Sequence, residues 1–167
     1  MNSHLERLRK ELESTLSGVS PAQLAKTPEG KWSPAQVLEH LWLTYKNTNR
    51  GLAKCLQSGA PLATAGTFKH RVKAFVVVNL KYLPSGNKAP ERAVPQGTPC
   101  DEVLRSIFSE LVEMDGRFAE CEKKFGRVTN ILDHPILGPL TVPQWCTFHW
   151  LHGRHHARQI RQRLGDF

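Results

Sequence analysis

The C-terminal region of the chain concentrates histidine, a residue type that binds metals and transfers protons. Four of the eight histidines lie within eight residues, between His149 and His156. At about 100° per residue, a helix in this region would carry one set of side chains along a single face. That set is Trp145, His149, His152, His156 and Ile160. Imidazoles therefore occupy the face on which a helix normally presents leucine or isoleucine to the core.

A divalent metal ion is the partner that this face predicts. Burying an imidazole without a partner costs free energy, so several on one inward face require a common partner. Histidines at positions i and i+4 of a helix can both reach one ion, and His152 and His156 have this spacing. His149 lies on the same face, where it is either a neighbour of the ligands or an alternative ligand. His155 points about 60° to 100° away from the pair, so we do not expect it to bind the ion.

A third ligand should come from another helix, and His40 is the best candidate. It lies beside Val37 and Thr44 on a helical wheel, at the edge of the apolar face of its helix. Taken alone, His40 is more typical of a half-buried core imidazole, but the cluster in the last helix favours a ligand. Three histidines from two helices would leave coordination positions open, as catalytic metal sites do. His134, in the loop before the last helix, is a candidate for the mouth of the cavity.

Hydrophobic periodicity predicts the helices that must position these histidines. It indicates four long helices over about residues 3–18, 33–57, 99–124 and 142–164. The tetrapeptide Ser-Pro-Ala-Gln occurs at 20–23 and 33–36, and each copy predicts a capping box with proline in the first helical turn.

The connections between these helices are less regular. The apolar segment 68–82 contains residues that favour a strand, Phe75 to Val78, but its length and its flanks predict an additional helix. Residues 84–99 are predicted as an irregular connection, and 126–139 as a turn. The predicted fold class is therefore all-α, a four-helix bundle with an additional helix in a crossover connection.

Length and composition set limits on the class of protein. The chain has 167 residues, of which 40% are hydrophobic and 23% are charged, and this predicts a single soluble domain over residues 1–167. No run of about 18 apolar residues is present, so we expect no membrane span. The N-terminal sequence lacks a segment of signal-peptide type, which predicts a cytoplasmic location. None of the four cysteines forms a CxxC pair, so we expect free thiols.

The net charge of +8 raises the question of a nucleic-acid partner. The basic residues are dispersed along the chain, however, and no nucleic-acid-binding motif accompanies them. This distribution favours solvated helix faces and disfavours a nucleic-acid groove. His4 and His70 lie within basic segments and are predicted at the surface.

Two segments of the chain resemble motifs of the DinB-like superfamily. Residues 32–41, read as Trp-Ser-Pro-Ala-Gln-Val-Leu-Glu-His-Leu, resemble its motif W-S-hydrophobic-x-H-L at the start of the second helix. Residues 134–160 are similar to its ending, H-P-x-x-G-P-L-T…W…H-x-x-x-H-x-x-Q-I. The order and spacing of the likeness extend over nearly the whole chain, although residues 64–97 match the superfamily only in their helical character. It implies a divalent metal on the histidines at the motif positions: His40, His152 and His156. Three imidazoles suit zinc, nickel, copper or iron, and zinc or nickel is the metal that we expect.

The resemblance also implies a chemistry. Characterised members include metal-dependent transferases and isomerases that use bacillithiol, mycothiol or glutathione. The implied function is a metal-dependent enzyme that transfers a low-molecular-weight thiol to an electrophilic small molecule. Glu39 is predicted to project away from the site, and the lack of a carboxylate base disfavours a hydrolase of HExxH type. The alternative is a non-catalytic, metal-containing module for binding or stress response.

A homodimer is the predicted assembly. It rests on the family resemblance and on Trp42 and Trp150, which helical wheels place on the outer sides of their helices. Exposed indoles often mark the surfaces that contact a partner.

Overall fold

The computed structural model describes residues 1–82 and 88–165, and four long helices form the body of the fold. In chain order, the helices and strands are α1 (Ser3–Leu16), α2 (Pro21–Ala25), α3 (Pro34–Ser58), α4 (Phe68–Ala74), α5 (Cys100–Phe125), β1 (Asn130–His134), β2 (Gly138–Thr141) and α6 (Val142–Gly165). A π-helical turn, Phe75–Asn79, continues α4, and a 3₁₀ turn, Glu91–Ala93, precedes α5. The prediction of an all-α fold with four long helices is confirmed. Of the predicted connection 84–99, residues 84–87 lie outside the described residues.

Capping boxes fix the starts of the two helices that carry the predicted ligands. At α3, the Ser33 hydroxyl accepts a hydrogen bond from the Gln36 N–H at 3.1 Å, and Gln36 Oε1 accepts one from the Ser33 N–H at 2.8 Å. At α6, Thr141 and Gln144 form the same reciprocal pair. Each such cap stabilises its helix by about 1 kcal/mol. The predicted capping box of α2 is also present.

One continuous hydrophobic core joins the four long helices. It is formed by leucines of α1, by aliphatic and aromatic residues of α3 and α5, and by the inner face of α6. The close approach of α1 to α6 requires a glycine, because a Cβ at Gly153 would overlap Leu8 Cδ1 and lie 3.1 Å from the Tyr45 hydroxyl. Within residues 1–82 and 88–165, no helix combines the length and the apolar character needed to cross a membrane.

The crossover segment is helical over a shorter stretch than the predicted 68–82. Regular α-helix ends at Ala74, and the π-helical turn Phe75–Asn79 follows it. Phe75 to Val78 therefore lie in a helical turn and not in a strand, which agrees with the prediction of a helix. Ala74 and Val77 face the core, whereas the Phe68 side chain is 79% exposed. A nearly continuous apolar run carries no periodic signal that could mark where the regular helix ends.

The predicted turn over 126–139 is wrong, because this region contains a β-hairpin. β1 and β2 pair antiparallel, with Leu132 opposite Leu140 and His134 opposite Gly138. The strands are only five and four residues long, and β2 contains a proline. Such short strands with little alternation give no recognisable strand pattern. Buried side chains, Ile131 and Leu140, attach the hairpin to the helical core.

The predicted exposure of the two tryptophans is also wrong. Trp42 is 5% exposed and Trp150 is 8% exposed. The Lys46 ammonium lies 4.2 Å from the ring centroid of Trp42, and the Arg7 guanidinium carbon lies 4.5 Å from that of Trp150. Long cationic side chains can cover an apolar ring while their charge stays in water, and a helical wheel does not represent this. The homodimer stays a prediction that rests on the resemblance alone.

Candidate metal centre

Helices α3 and α6 bring His40, His152 and His156 together inside the bundle. His40 Nε2 lies 3.2 Å from His152 Nε2, and His152 Nε2 lies 3.1 Å from His156 Nε2. The three ligand atoms all lie within 4.8 Å of one another. Two nitrogens that are each about 2.1 Å from one ion are roughly 3.0 to 3.4 Å apart at the usual coordination angles. The spacing of this cluster therefore fits a shared metal ion.

A backbone carbonyl fixes the orientation of His40. Its Nδ1–H donates a hydrogen bond to the carbonyl oxygen of Ala93, over 2.6 Å, in the 3₁₀ turn before α5. With the proton on Nδ1, the Nε2 atom carries a free lone pair directed at the other two histidines. Metal-binding histidines generally make such a hydrogen bond through the ring nitrogen that does not bind the metal.

Gln159 gives His156 the same orientation. The Nδ1–H of His156 donates to Gln159 Oε1 at 2.8 Å, which leaves Nε2 unprotonated. The amide nitrogen of Gln159 donates in turn to His155 Nε2 at 3.0 Å. His155 lies outside the three-histidine cluster, but it accepts a hydrogen bond from the amide that orients one of the cluster's members.

His152 Nε2 faces both of these unprotonated nitrogens. One ring nitrogen carries at most one proton, so it can donate to His40 or to His156 but not to both. At least one of the two close nitrogen contacts therefore brings two lone pairs together. A shared cation would replace this repulsion with attraction, and this is the chemistry expected of a metal-binding donor set.

The electrostatic environment keeps the imidazoles in the neutral form that binds metals. Burial, followed by the charge of His40, lowers the pKa of His156 to about 3. Burial, and then His156 and His40, hold the pKa of His152 well below its ordinary value. Burial also lowers the pKa of His40. All three rings are therefore neutral near pH 7, so metal binding requires no net release of protons to the solvent.

Aromatic rings form the walls of the cluster. The Phe148 ring stacks on His152 with a centroid distance of 5.2 Å and an interplanar angle of 23°. The Trp32 ring lies 5.4 Å from that of His40. His152 Nδ1 has no hydrogen-bond partner in the part of the chain that the structure describes, so ring packing holds this histidine in place.

Glu39 lies outside the three-histidine cluster, and its side chain is buried. It is 2% exposed, because the connection before α5 covers it. Its carboxylate accepts hydrogen bonds from the backbone N–H groups of Gln96, Gly97 and Thr98 at 2.9, 3.2 and 3.0 Å. Burial raises the pKa of this carboxyl, but these hydrogen bonds outweigh it, and the pKa lies below its ordinary value. Glu39 is therefore an ionised anchor for the backbone.

The remaining histidines have structural surroundings. His149 is fully buried among aromatic rings, and neither ring nitrogen has a partner among the described residues. His134 does not line a cavity mouth, because it is buried within the hairpin, where Nδ1 accepts from the N–H groups of Ile136 and Leu137 at 3.1 Å each. His4 and His70, predicted at the surface, are partly buried.

The four cysteines are free thiols, as predicted. Burial raises the pKa of Cys121 to about 12, and it raises that of Cys146 to about 12 as well. Burial also raises the pKa of Cys100. These three thiols stay protonated near pH 7, so they are poor nucleophiles and poor metal ligands. Within residues 1–82 and 88–165, the ligand group contains neither cysteine nor carboxylate.

Sequence reasoning missed the residues that orient the ligands. Gln159 lies three positions after His156, a spacing that places two side chains on one face of a helix and could have indicated the contact. Ala93 acts through its backbone carbonyl and therefore has no side-chain signature. The role of Glu39 depends on a connection more than fifty residues away along the chain.

The fold and the cluster define a class of protein: a helical bundle with a candidate metal centre between two of its helices. The family profile described as the DinB superfamily matches residues 4–160, so this chain belongs to the DinB superfamily. The resemblance read from the sequence is confirmed at this level. No curated protein and no solved structure matches the chain in the same comparisons.

Proposed function

We propose that His40, His152 and His156 together bind one divalent ion and that the chain is a metal-dependent enzyme. The observation that carries this proposal is the convergence of three Nε2 atoms. Two of them are kept unprotonated by hydrogen bonds on the opposite side of their rings. Three protein ligands leave positions for an external molecule, as catalytic sites do. Zinc and nickel are the metals that we propose, from a set suited to imidazole that also includes copper and iron.

Transfer of a low-molecular-weight thiol to an electrophile is the chemistry that we propose. A divalent ion at this site would stabilise a thiolate and raise the fraction of reactive thiol near pH 7. The protein itself offers no nucleophile or carboxylate base in the ligand group of the described residues. This donor set therefore supports an external thiol nucleophile and disfavours glutamate-assisted hydrolysis.

The chain's own residues would bind and orient the reactants. Ala93 and Gln159 orient the rings of His40 and His156, so the orientation of these two ligands exists before any substrate arrives. The half-buried Trp32 ring beside His40 would provide apolar surface for an electrophile with an apolar body, and the buried Phe148 ring limits the access of water to His152.

An assay for conjugate formation tests this proposal. Protein purified without a histidine tag would be loaded with Zn²⁺ or Ni²⁺ and mixed with bacillithiol, mycothiol or glutathione and a chromogenic electrophile. We expect a rate of conjugation that depends on both metal and thiol. The rate should be lost in His152→Ala and largely retained in His155→Ala.

A non-catalytic metal-binding module is the alternative function. It predicts stoichiometric metal binding together with no conjugation above the rate of free metal and thiol. That outcome with all three thiols would contradict the enzyme proposal and leave the binding module in its place.

A further inference from the structure

The anchor formed by Glu39 lies next to His40 in the sequence and on the same connection that holds His40 in space. The connection contributes the Ala93 carbonyl to His40 and, three to five residues later, the N–H groups that bind the Glu39 carboxylate. Two adjacent residues of α3 therefore hold the same short stretch of chain, one as an acceptor and one as a donor.

A third contact fixes the other side of this stretch. The side-chain amide of Asn47, two turns further along α3, donates to the carbonyl oxygen of Arg92 at 2.8 Å. The Ala93 carbonyl thus lies between two attachments to α3, the Asn47 contact before it and the Glu39 contact after it. Ala93 itself is buried, which is consistent with a docked segment.

We infer that Glu39 is a positioning residue for the metal centre: it docks residues 93–98 on α3, and the docked Ala93 carbonyl sets the tautomer and orientation of His40. This inference rests on the proposed function, since it concerns the affinity of the same three-histidine site. Ordering of the segment and metal binding are then thermodynamically linked, so each strengthens the other by the same factor. The Glu39 carboxylate itself lies outside the ligand group.

A purely structural role for Glu39 is the competing explanation. A carboxylate bound to three successive N–H groups stabilises a loop wherever it occurs. Asp133 provides a matched control, because it also attaches a connection to the body of the fold. It accepts hydrogen bonds from the Thr64 N–H at 3.1 Å and from the Thr64 hydroxyl at 2.6 Å. Among the hydrogen bonds of the described residues, none joins Asp133 or Thr64 to the three histidines.

The test compares Zn²⁺ affinity in the wild-type chain, Glu39→Gln and Asp133→Asn, using a chromophoric chelator as competitor. We expect Glu39→Gln to weaken Zn²⁺ binding by about 10-fold or more, because the Ala93 carbonyl is no longer held against His40, and loss of such an outer contact usually costs about 10- to 100-fold in affinity. Asp133→Asn should leave the affinity unchanged, even though both variants lower the unfolding midpoint. Wild-type affinity in Glu39→Gln would overturn the inference while the proposed function stands.

Hydrogen exchange supplies a second readout that needs no variant. In the wild-type chain, Zn²⁺ should slow exchange of the Gln96, Gly97 and Thr98 amides by about 10-fold or more, because the linkage is reciprocal. The Thr64 amide should not respond. Equal exchange of residues 96–98 with and without bound Zn²⁺ would overturn the inference, even if Glu39→Gln failed to fold. If the wild-type chain bound no Zn²⁺, the proposed function itself would fail, and this inference with it.

Discussion

Replacing His149 with leucine should make the stability of the protein less dependent on pH. His149 is fully buried, and burial, followed by the charge of His134, lowers its pKa to about 3. In the unfolded chain the same imidazole has an ordinary pKa of about 6.5. Below that value the unfolded state binds a proton that the folded state excludes, so acid favours unfolding. The stability contributed by neutral His149 is complete above about pH 6.5 and is lost as the pH falls towards about 3.

The magnitude follows from the two pKa values. At pH 5 the folded ring is neutral while the unfolded ring is almost fully protonated, which costs about 2 kcal/mol relative to pH 7. Between about pH 5 and 6 the slope is about 1.2 kcal/mol per pH unit for one such histidine. His134, whose pKa burial lowers to about 4, adds a similar contribution. The His149→Leu variant no longer takes up the His149 proton when it unfolds, but it still takes up the His134 proton.

The assay is urea unfolding between pH 5 and 7 in the presence of a chelator, which prevents metal ions from stabilising the folded state. Between pH 7 and pH 5, the free energy of unfolding of His149→Leu should fall by about 2 kcal/mol less than that of the wild type. At pH 7 the variant should lose little stability, because leucine also removes two buried ring nitrogens that have no partner in the described part of the chain. Identical slopes for the two proteins would refute the reasoning.

Three further predictions concern packing, ligand orientation and assembly. Gly153→Ala should destabilise the fold by roughly 1–3 kcal/mol in urea unfolding, because the added methyl group overlaps Leu8 at the contact of α1 with α6; an unchanged midpoint would show that this contact is looser than the structure indicates. Gln159→Leu should weaken Zn²⁺ binding by about 10- to 100-fold in a chelator competition, because His156 loses the acceptor for its Nδ1 proton; wild-type affinity would mean that the amide does not orient the ring. Analytical ultracentrifugation should detect a homodimer, and a monomer at high concentration would contradict that prediction.

The sequence predicts the parts of the site that arise from local spacing. His152 and His156 lie four residues apart in one helix, so their shared face follows from helical geometry alone. His40 could be proposed because it lies at the edge of the apolar face of a helix that a capping box had already placed. The likeness to DinB-like motifs selects the same three residues, and the structure brings them together.

The features that escaped prediction depend on distant or irregular parts of the chain. Ala93 reaches His40 from a connection that has no periodicity, through an atom that every residue type possesses. The hairpin before α6 has short strands with weak alternation, and its buried leucine and isoleucine read equally well as part of a turn. Trp42 packs into the core and is also covered by Lys46, and a helical wheel represents neither contact, although the spacing of four residues indicates the second.

Metal stoichiometry tests the central claim most directly. Protein purified without a histidine tag would be treated with chelator, dialysed and titrated with Zn²⁺ near pH 7, with bound metal measured by elemental analysis. The wild-type chain should take up one ion, and His40→Ala, His152→Ala and His156→Ala should each abolish stoichiometric binding. His155→Ala should still take up one ion, because His155 contacts Gln159 and lies outside the ligand group. A wild-type chain that takes up no ion, or an ion that is lost in His155→Ala and kept in His152→Ala, would contradict the account.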